Sequence, residues 1–468
     1  MGDSFIEITG AMDKALRPDL NFDIVKRELT IGGRPAVLYF VDGFIKDDVF
    51  SRILEFFFGI TSLQMAAVDS AGQFLKNKIP YVETECVTDT ADAVTAVLSG
   101  PAVLVIEGVR GMVVIDTRAY PTRSVEEPQQ DKSLRGSRDG FVETAVLNTA
   151  MLRRRIRDEG LRMEYVQVGK STKLDVVISY MEPLADKKVI SLLKKRLKNL
   201  DINGISMTQQ ALSEALLNPG YLNPLPKFRF TERPDFASAG ILDGKIALIM
   251  DNTPAVMLLP VAFADFFKEI DDYYFLPAVS SYTRITRMLI NLFSVFCTPC
   301  YLLFTLYPQY MPSWLSFMKL TVSGNMPLLA QFLILEFMTD GLRLASLNIP
   351  DALASTLGII GALMLSEFAV NAGWFVTEAV LLMAVVIVAG YTLPSMEMVF
   401  AIKFQRMLLL VAVQLFALWG LIGGVILCGI LLLTTKTLTG RDYFAPVFPF
   451  RPRAFIRLFL RPPVDNEH

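Results

Sequence analysis

Histidine is nearly absent from this 468-residue chain, its single copy being His468. That removes Ser–His–Asp and Cys–His nucleophilic arrangements and histidine-based metal centres, each of which needs an imidazole as base or ligand. A glycine-rich phosphate loop of the Walker type is also missing. Cysteine is scarce: of Cys86, Cys297, Cys300 and Cys428, three lie in or beside apolar segments, so a disulfide framework is not expected. Cys297-Thr-Pro-Cys300 has CxxC spacing but sits in an apolar run without a βαβ context, which favours buried cysteines over a redox pair. The formal net charge of -2 offers no concentrated basic surface, so nucleic acid is not an expected partner. The N-terminus lacks a basic segment followed by an uninterrupted apolar one, so no cleaved signal peptide is expected. Ile6 stands where a myristoylation motif after Gly2 needs Ser or Thr. These absences together point to a non-enzyme without cofactor or metal.

What is present is an asymmetry. Hydrophobic residues make up 52% of the chain and mean hydropathy is +0.42, yet charges are dense up to about Arg287 and thin from there to Lys436. The length suggests more than one domain. The division expected is an N-terminal tail (1–20), two small soluble α/β subdomains (21–137 and 138–272), a polytopic α-helical transmembrane domain (273–440) and a basic C-terminal tail (441–468).

In the first subdomain, apolar runs around Gly32 and Gly33 predict a hairpin over Glu28–Asp42, followed by an amphipathic helix near Lys46–Phe58. A strand at Tyr81–Val87, a helix capped by Asp89 or Thr90 and ended by Gly100, and a hairpin from AVLVIEG and GMVVIDT complete it. Helical spacing of Phe141, Val142, Ala145, Leu152 and Ile156 predicts a helix over Arg138–Asp158. Strands at Arg162–Val168 and Lys173–Tyr180, a basic helix at Lys187–Leu200, and paired strands at Lys245–Met250 and Ala255–Pro260 follow. The two subdomains share an order of elements without a close sequence repeat.

After Asp272, stretches long enough to cross a hydrocarbon core of ~30 Å become frequent. They are Ile285–Tyr307, Met326–Leu347, Leu353–Ala372, Phe375–Leu393 and Met407–Leu433. Flanking basic residues (Arg284, Arg287, Lys403, Arg406, Lys436, Arg441) place both termini on the cytoplasmic side, which an odd number of crossings does not allow. Four full spans with Met326–Leu347 broken or re-entrant reconcile the two. Glycines at 420, 423, 424 and 429 crowd the last span and suit close helix packing.

Ionisable groups in an apolar segment normally face protein or water, because mid-bilayer charge costs about 2.5–3.5 kcal/mol on insertion scales. Glu336, Asp340 and Arg343 fall at i, i+4 and i+7 on one helical face, and Glu367, Asn371 and Glu378 would do so if Gly373 did not split the helix. Two readings stay open: an acidic lining for cations, or carboxylates neutralised by Arg343 or lying at the membrane surface. In the soluble half, Arg135, Arg138, Arg153, Arg154, Arg155 and Arg157 cluster with Glu126, Glu127, Asp139 and Glu143. Arginine forks suit bidentate carboxylate pairing between domains or subunits, and a solvated helix face is the plainer alternative.

The same residues carry a likeness. RGSRDGFVET (Arg135–Thr144), between PTRSVEEP and LNTAMLRRRIRD and followed by VGKSTKLDVVISYME, resembles the GerA family of spore germination receptor A subunits. The likeness runs from RELTIGGRPAVLYFVDGFIKDD through the polytopic region. Receptor subunits carry proline after the RG pair, whereas here Ser137, Arg138 and Asp139 follow, a form similar to the stage V sporulation protein AF branch. The resemblance implies a multi-pass spore inner-membrane protein with its soluble half on the core side. It also implies relatives that assemble as oligomeric ion channels. The expectation is a homo-oligomeric cation channel that relays the germination signal alongside other germination membrane proteins, with monovalent cations and the lipid bilayer as further partners; a non-conducting scaffold for receptors and a small-solute transporter are the alternatives. Direct nutrient binding is not implied for this branch. Arg135, Gly136, Gly140 and Phe141 are the motif positions to which it gives a structural or assembly role.

Overall fold

The computed structural model describes residues 2–45, 47–78, 84–117, 136–170, 172–200, 208–217, 223–318, 325–347, 369–438 and 443–461. Two compact units emerge, Met1–Pro219 with Phe228–Pro260 and Gly220–Lys227 with Val261–His468.

The first unit is α/β. Its first sheet joins β1 (Ile24–Ile31), β2 (Arg34–Val41), β4 (Ala102–Ile106), β5 (Met112–Ile115) and β3 (Thr84–Val87) in that order, each neighbour antiparallel. The β1–β2 turn needs positive φ at both central residues, and Gly32 (+55°) and Gly33 (+81°) supply it. A Cβ on Gly32 would stand 2.2 Å from Met65 Cγ. Because side chains alternate across a strand, β2 sends Ala36 and Leu38 to one core and Val37, Tyr39 and Val41 to the other. The first core packs on helix α2 (Asp47–Phe58) and the second on α1 (Gly2–Leu16) and α3 (Thr90–Ser99). Asp89 caps α3 by accepting from Ala91 N, and Gly100 at φ 112° ends it.

Within the expected N-terminal tail, residues 2–16 form α1. Met12 and Leu16 are buried, and the buried Tyr39 hydroxyl donates to Asp13 at 2.8 Å. Burial pushes that hydroxyl well above the usual tyrosine range, so it remains a donor.

The second sheet joins β6 (Leu161–Val168), β7 (Leu174–Met181), β9 (Ile246–Met250), β10 (Val256–Leu259) and β8 (Arg229–Thr231). Its order, first–second–fourth–fifth–third, repeats that of the first sheet, and again every neighbour is antiparallel. Each sheet also places one helix, α3 or α6 (Pro234–Leu242), between its third and fourth strands. The basic amphipathic helix expected after β7 is α5 (Lys187–Lys198), capped by Asp186.

Helix α4 (Ala145–Arg155) is shorter than the stretch its apolar spacing predicts. Asn148 explains the late start, since its side chain accepts from Val142 N at 2.8 Å and donates to Val142 O at 2.6 Å, drawing the preceding residues into a loop. At the other end, Arg153, 0% exposed, donates to Asp23 at 3.0 and 3.4 Å and to the Leu161 carbonyl. Asp23 precedes β1, and its neighbours Asn21 and Phe22 exchange hydrogen bonds with Met163 of β6. One buried ion pair thus ties the two sheets together.

The second unit is helical: α7 (Pro277–Leu306), α8 (Leu328–Leu347), α9 (Thr377–Tyr391), α10 (Met396–Thr434) and a C-terminal α11 (Pro452–Phe459). By length and composition α7 and α10 can cross a membrane, and α9 is a shorter apolar helix. Most of the expected span Leu353–Ala372 lies outside the described residues, which resume with a short helix at Ala369–Asn371.

The segment read as one last span, Met407–Leu433, is not straight. Ala417 breaks α10 at φ 51°, ψ −129°, and a Cβ on Gly424 would stand 2.7 Å from Leu409 Cδ2. A Cβ on Gly420 would stand 1.9 Å from the Ala412 carbonyl oxygen, although eight residues of continuous helix separate two positions by about 12 Å. Leu431 and Leu432 pack with Met398 and Ile402. The two halves form an antiparallel hairpin, and the glycines let their backbones touch.

Two outcomes follow. Asp23→Ala leaves a buried guanidinium unpaired and should lower stability by about 3–5 kcal/mol, whereas Asp23→Leu/Arg153→Met should lose less than either single change. Thermal unfolding of the detergent-solubilised full chain measures both. In the same assay Gly420→Ala should be strongly destabilising and Gly423→Ala nearly neutral, since a Cβ at Gly423 meets nothing within 4 Å.

Candidate functional site

Charge converges inside the helical unit where α7, α8 and the first half of α10 meet. Glu336 and Asp340 lie one turn apart on α8, and Lys403 and Arg406 lie three apart on α10. Glu336, 2% exposed, accepts from Arg406 Nε and Nη2, both at 2.6 Å. Lys403 Nζ donates to the Glu336 carbonyl at 2.8 Å, stands 3.5 Å from its Oε2, and pairs with Asp340. Arg406 and Lys403 are 5% and 8% exposed, whereas the Asp340 side chain is 29% exposed. Among the described residues the cluster therefore pairs two carboxylates with two cations, and of these four Asp340 is the one that opens outward.

Helix α7 presents a polar edge: Ser280, Arg284, Arg287, Asn291, Ser294 and Thr298 are all buried and recur every three or four residues. Asn291 donates to Thr392 Oγ1 and to the Arg287 carbonyl, both at 2.9 Å. Below it, Arg284 and Arg287 hold the 1%-exposed Asp272, and Arg287 also pairs with Glu269. Between edge and cluster lies a cavity of about 40 Å³ lined by Asn291, Ser294, Glu336, Asp340, Lys403 and Arg406. That volume suffices for water, and its lining offers the polar partners water needs.

Among the described residues Glu336 and Asp340 pair with Lys403 and Arg406 rather than with Arg343, whose guanidinium lies 5.9 Å from the Tyr391 ring centre and 5.6 Å from that of Phe400. Lys403 and Arg406, read in the sequence only as topology markers, are the partners. The signal was there, since two cations embedded in an apolar helix need buried anions. Glu367 lies outside the described residues. Asn371 is exposed on its short helix and Glu378 half-buried in the first turn of α9, with Gly373 at φ 73° between them, so no single helical face joins them. Gln331 fixes that corner, accepting from Val376 N and donating to Met326 O, both at 2.8 Å.

The arginine-rich motif divides. Arg135 lies outside the described residues, and Gly136 adopts φ 118°. After Gly140, Phe141 is fully buried and its N–H bonds the Glu232 carbonyl at 2.8 Å. Arg155 donates to Ser137 at 2.9 Å and to both Asp139 oxygens at 2.7 and 2.9 Å, while Arg233 donates to the Ser137 carbonyl. Ser137 and Asp139 are thus anchor points for these arginines. Arg153 and Arg155 act inside the unit; Arg154 and Arg157 are exposed.

Replacing Arg406 with Gln should strip Glu336 of its main counter-charge and destabilise the helical unit by about 3–5 kcal/mol, and Glu336→Gln/Arg406→Gln should recover much of that loss. Thermal unfolding of the purified chain compares the three.

Stage V sporulation protein AF of Bacillus subtilis (strain 168) is 31% identical over 441 residues, covering 94% of this chain and 89% of that protein. This is the branch to which the Ser137–Asp139 form of the motif pointed. The uncharacterized membrane protein YfkQ of the same organism is 28% identical over 447 residues, covering 94% and 86%. The crystal structure of the N-terminal domain of the A subunit of the Bacillus megaterium spore germinant receptor GerK3 aligns with a TM-score of 0.38 and 22% identity, covering 55% of this chain and 94% of that one. Residues 11–468 match the family described as Bacillus/Clostridium GerA spore germination protein, and the chain belongs to that family.

Proposed function

We propose that this GerA-family protein is a membrane subunit of spore germination that assembles with copies of itself to conduct monovalent cations. Its helical unit crosses the spore inner membrane several times, and its α/β unit stands on the core side, beside other germination proteins. The observation that carries this reading is the Glu336–Asp340–Lys403–Arg406 cluster with its polar cavity. Charge within an apolar helical unit is costly and is retained where it serves a pathway or a switch. With its charges balanced, the cluster describes a closed state; conduction requires the pairs to part so that the carboxylates face the ion. The two long apolar helices among the described residues, one of them a hairpin, are too few to surround an aqueous pore. Several copies are needed, and the exposed Arg154 and Arg157 suit contacts between them. The hairpin at Ala417 also returns the chain to the side from which it entered, which fits termini on one side of the membrane.

The charge balance favours a second reading, in which the cluster is purely structural and the chain is a non-conducting scaffold for receptors. Ion flux from cells expressing the full chain, with and without its germination partners, separates the two. Conduction predicts that Asp340→Asn, Glu336→Gln, Glu367→Gln or Glu378→Gln at matched abundance changes flux or selectivity. Correctly inserted protein that passes no ions in any combination would establish the scaffold.

A further inference from the structure

A second, larger cavity lies in the helical unit. It encloses about 560 Å³, within the ~300–1,000 Å³ of small-molecule sites. Its walls come from α7 (Met288, Leu292, Val295), both arms of α10 (Leu409, Gly429) and α11 (Phe459), and are overwhelmingly apolar. Leu289 and Leu292, 59% and 57% exposed, set its mouth on the outer face of the unit. Two amides break the apolar lining: Asn291, whose Nδ2 is committed to the Arg287 carbonyl and Thr392, and Gln405, whose Nε2 is buried with no hydrogen-bond partner among the described residues.

The segment that forms one wall is strongly basic. From Tyr443 to Pro463 the sequence carries Arg451, Arg453, Arg457 and Arg461 and no acidic residue. Arg461 is already committed, donating to the Asp272 and Phe275 carbonyls at 2.9 and 2.6 Å and so pinning the segment beside the start of α7. Arg451, Arg453 and Arg457 belong to the stretch that borders the cavity through Leu458 and Phe459. An apolar slot with one uncommitted amide donor, beside a cationic helix, matches a molecule with a long hydrocarbon chain, a carbonyl acceptor and a negative head.

We propose that this cavity holds an acyl chain of an anionic glycerophospholipid, with Gln405 donating to an ester carbonyl and the arginines of the C-terminal segment attracting the phosphate. The proposal rests on the membrane reading above. It makes the lipid a structural component of the unit, clasped between α7 and the α10 hairpin.

Native mass spectrometry of the delipidated, detergent-solubilised full chain, offered phosphatidylglycerol or phosphatidylcholine of identical chains, tests it. The wild type should retain phosphatidylglycerol preferentially. Gly429→Phe should abolish retention of both lipids while thermal unfolding stays normal, because a Cβ at Gly429 meets nothing within 4 Å. Leu292→Trp gives a second filling variant at an exposed position. Arg453→Gln/Arg457→Gln should keep the chain bound but lose the preference for phosphatidylglycerol. Equal retention by the wild type and folded filling variants, or no headgroup preference in the wild type, would overturn the proposal. Failure to insert into liposomes would overturn the membrane reading itself, whereas normal insertion without lipid retention overturns only this inference.

Discussion

A charge removed from water must meet its opposite, and that constraint organises both units of this protein. In the α/β unit, Asp23 and Arg153 close on one another across 130 residues of sequence, and the surrounding backbone completes the arginine's hydrogen bonds. In the helical unit, Glu336 and Arg406 do the same across 70 residues. Such pairs add little net stability compared with a well-packed apolar substitute, but half of one is strongly destabilising. Their effect is specificity: each admits one mutual placement of the segments that carry it.

The glycines of α10 impose the complementary constraint. Backbone contact between the two arms removes any freedom for a side chain at Gly420, and the positive φ falls on Ala417, a residue that rarely adopts it. Strain at one residue is offset by apolar packing along both arms. The fold-back also turns a single hydrophobic run into a surface with an inside and an outside, so that Lys403 and Arg406 face α8 while Phe416 and Trp419 remain exposed.

Much of the fold was legible in the sequence because its signals are local. Glycine pairs, capping aspartates and alternating apolar residues mark the hairpins and helices of both sheets, and the drop in charge marks the helical unit. The repeated strand order was visible only as a similar succession of elements, since the pairing of third with fifth strand depends on contacts that no local pattern encodes. The late start of α4 was hidden for a related reason: Asn148 overrides helical spacing with two side-chain bonds. The carboxylates of the buried cluster were legible as charges out of place. Their partners were not, because Lys403 and Arg406 read equally well as flanking positive charge until the helices are brought together.

The wide separation of Asp23 and Arg153 has a consequence for the order of synthesis. All five strands of the first sheet emerge before the arginine that neutralises Asp23, so that lobe is translated with an open joint. It reaches its final form only when α4 and the opening strand of the next lobe arrive. A chain cut short before Arg153 therefore carries an unanswered carboxylate at its seam, and the first lobe is better understood as half of a two-part object than as a domain that waits for a neighbour.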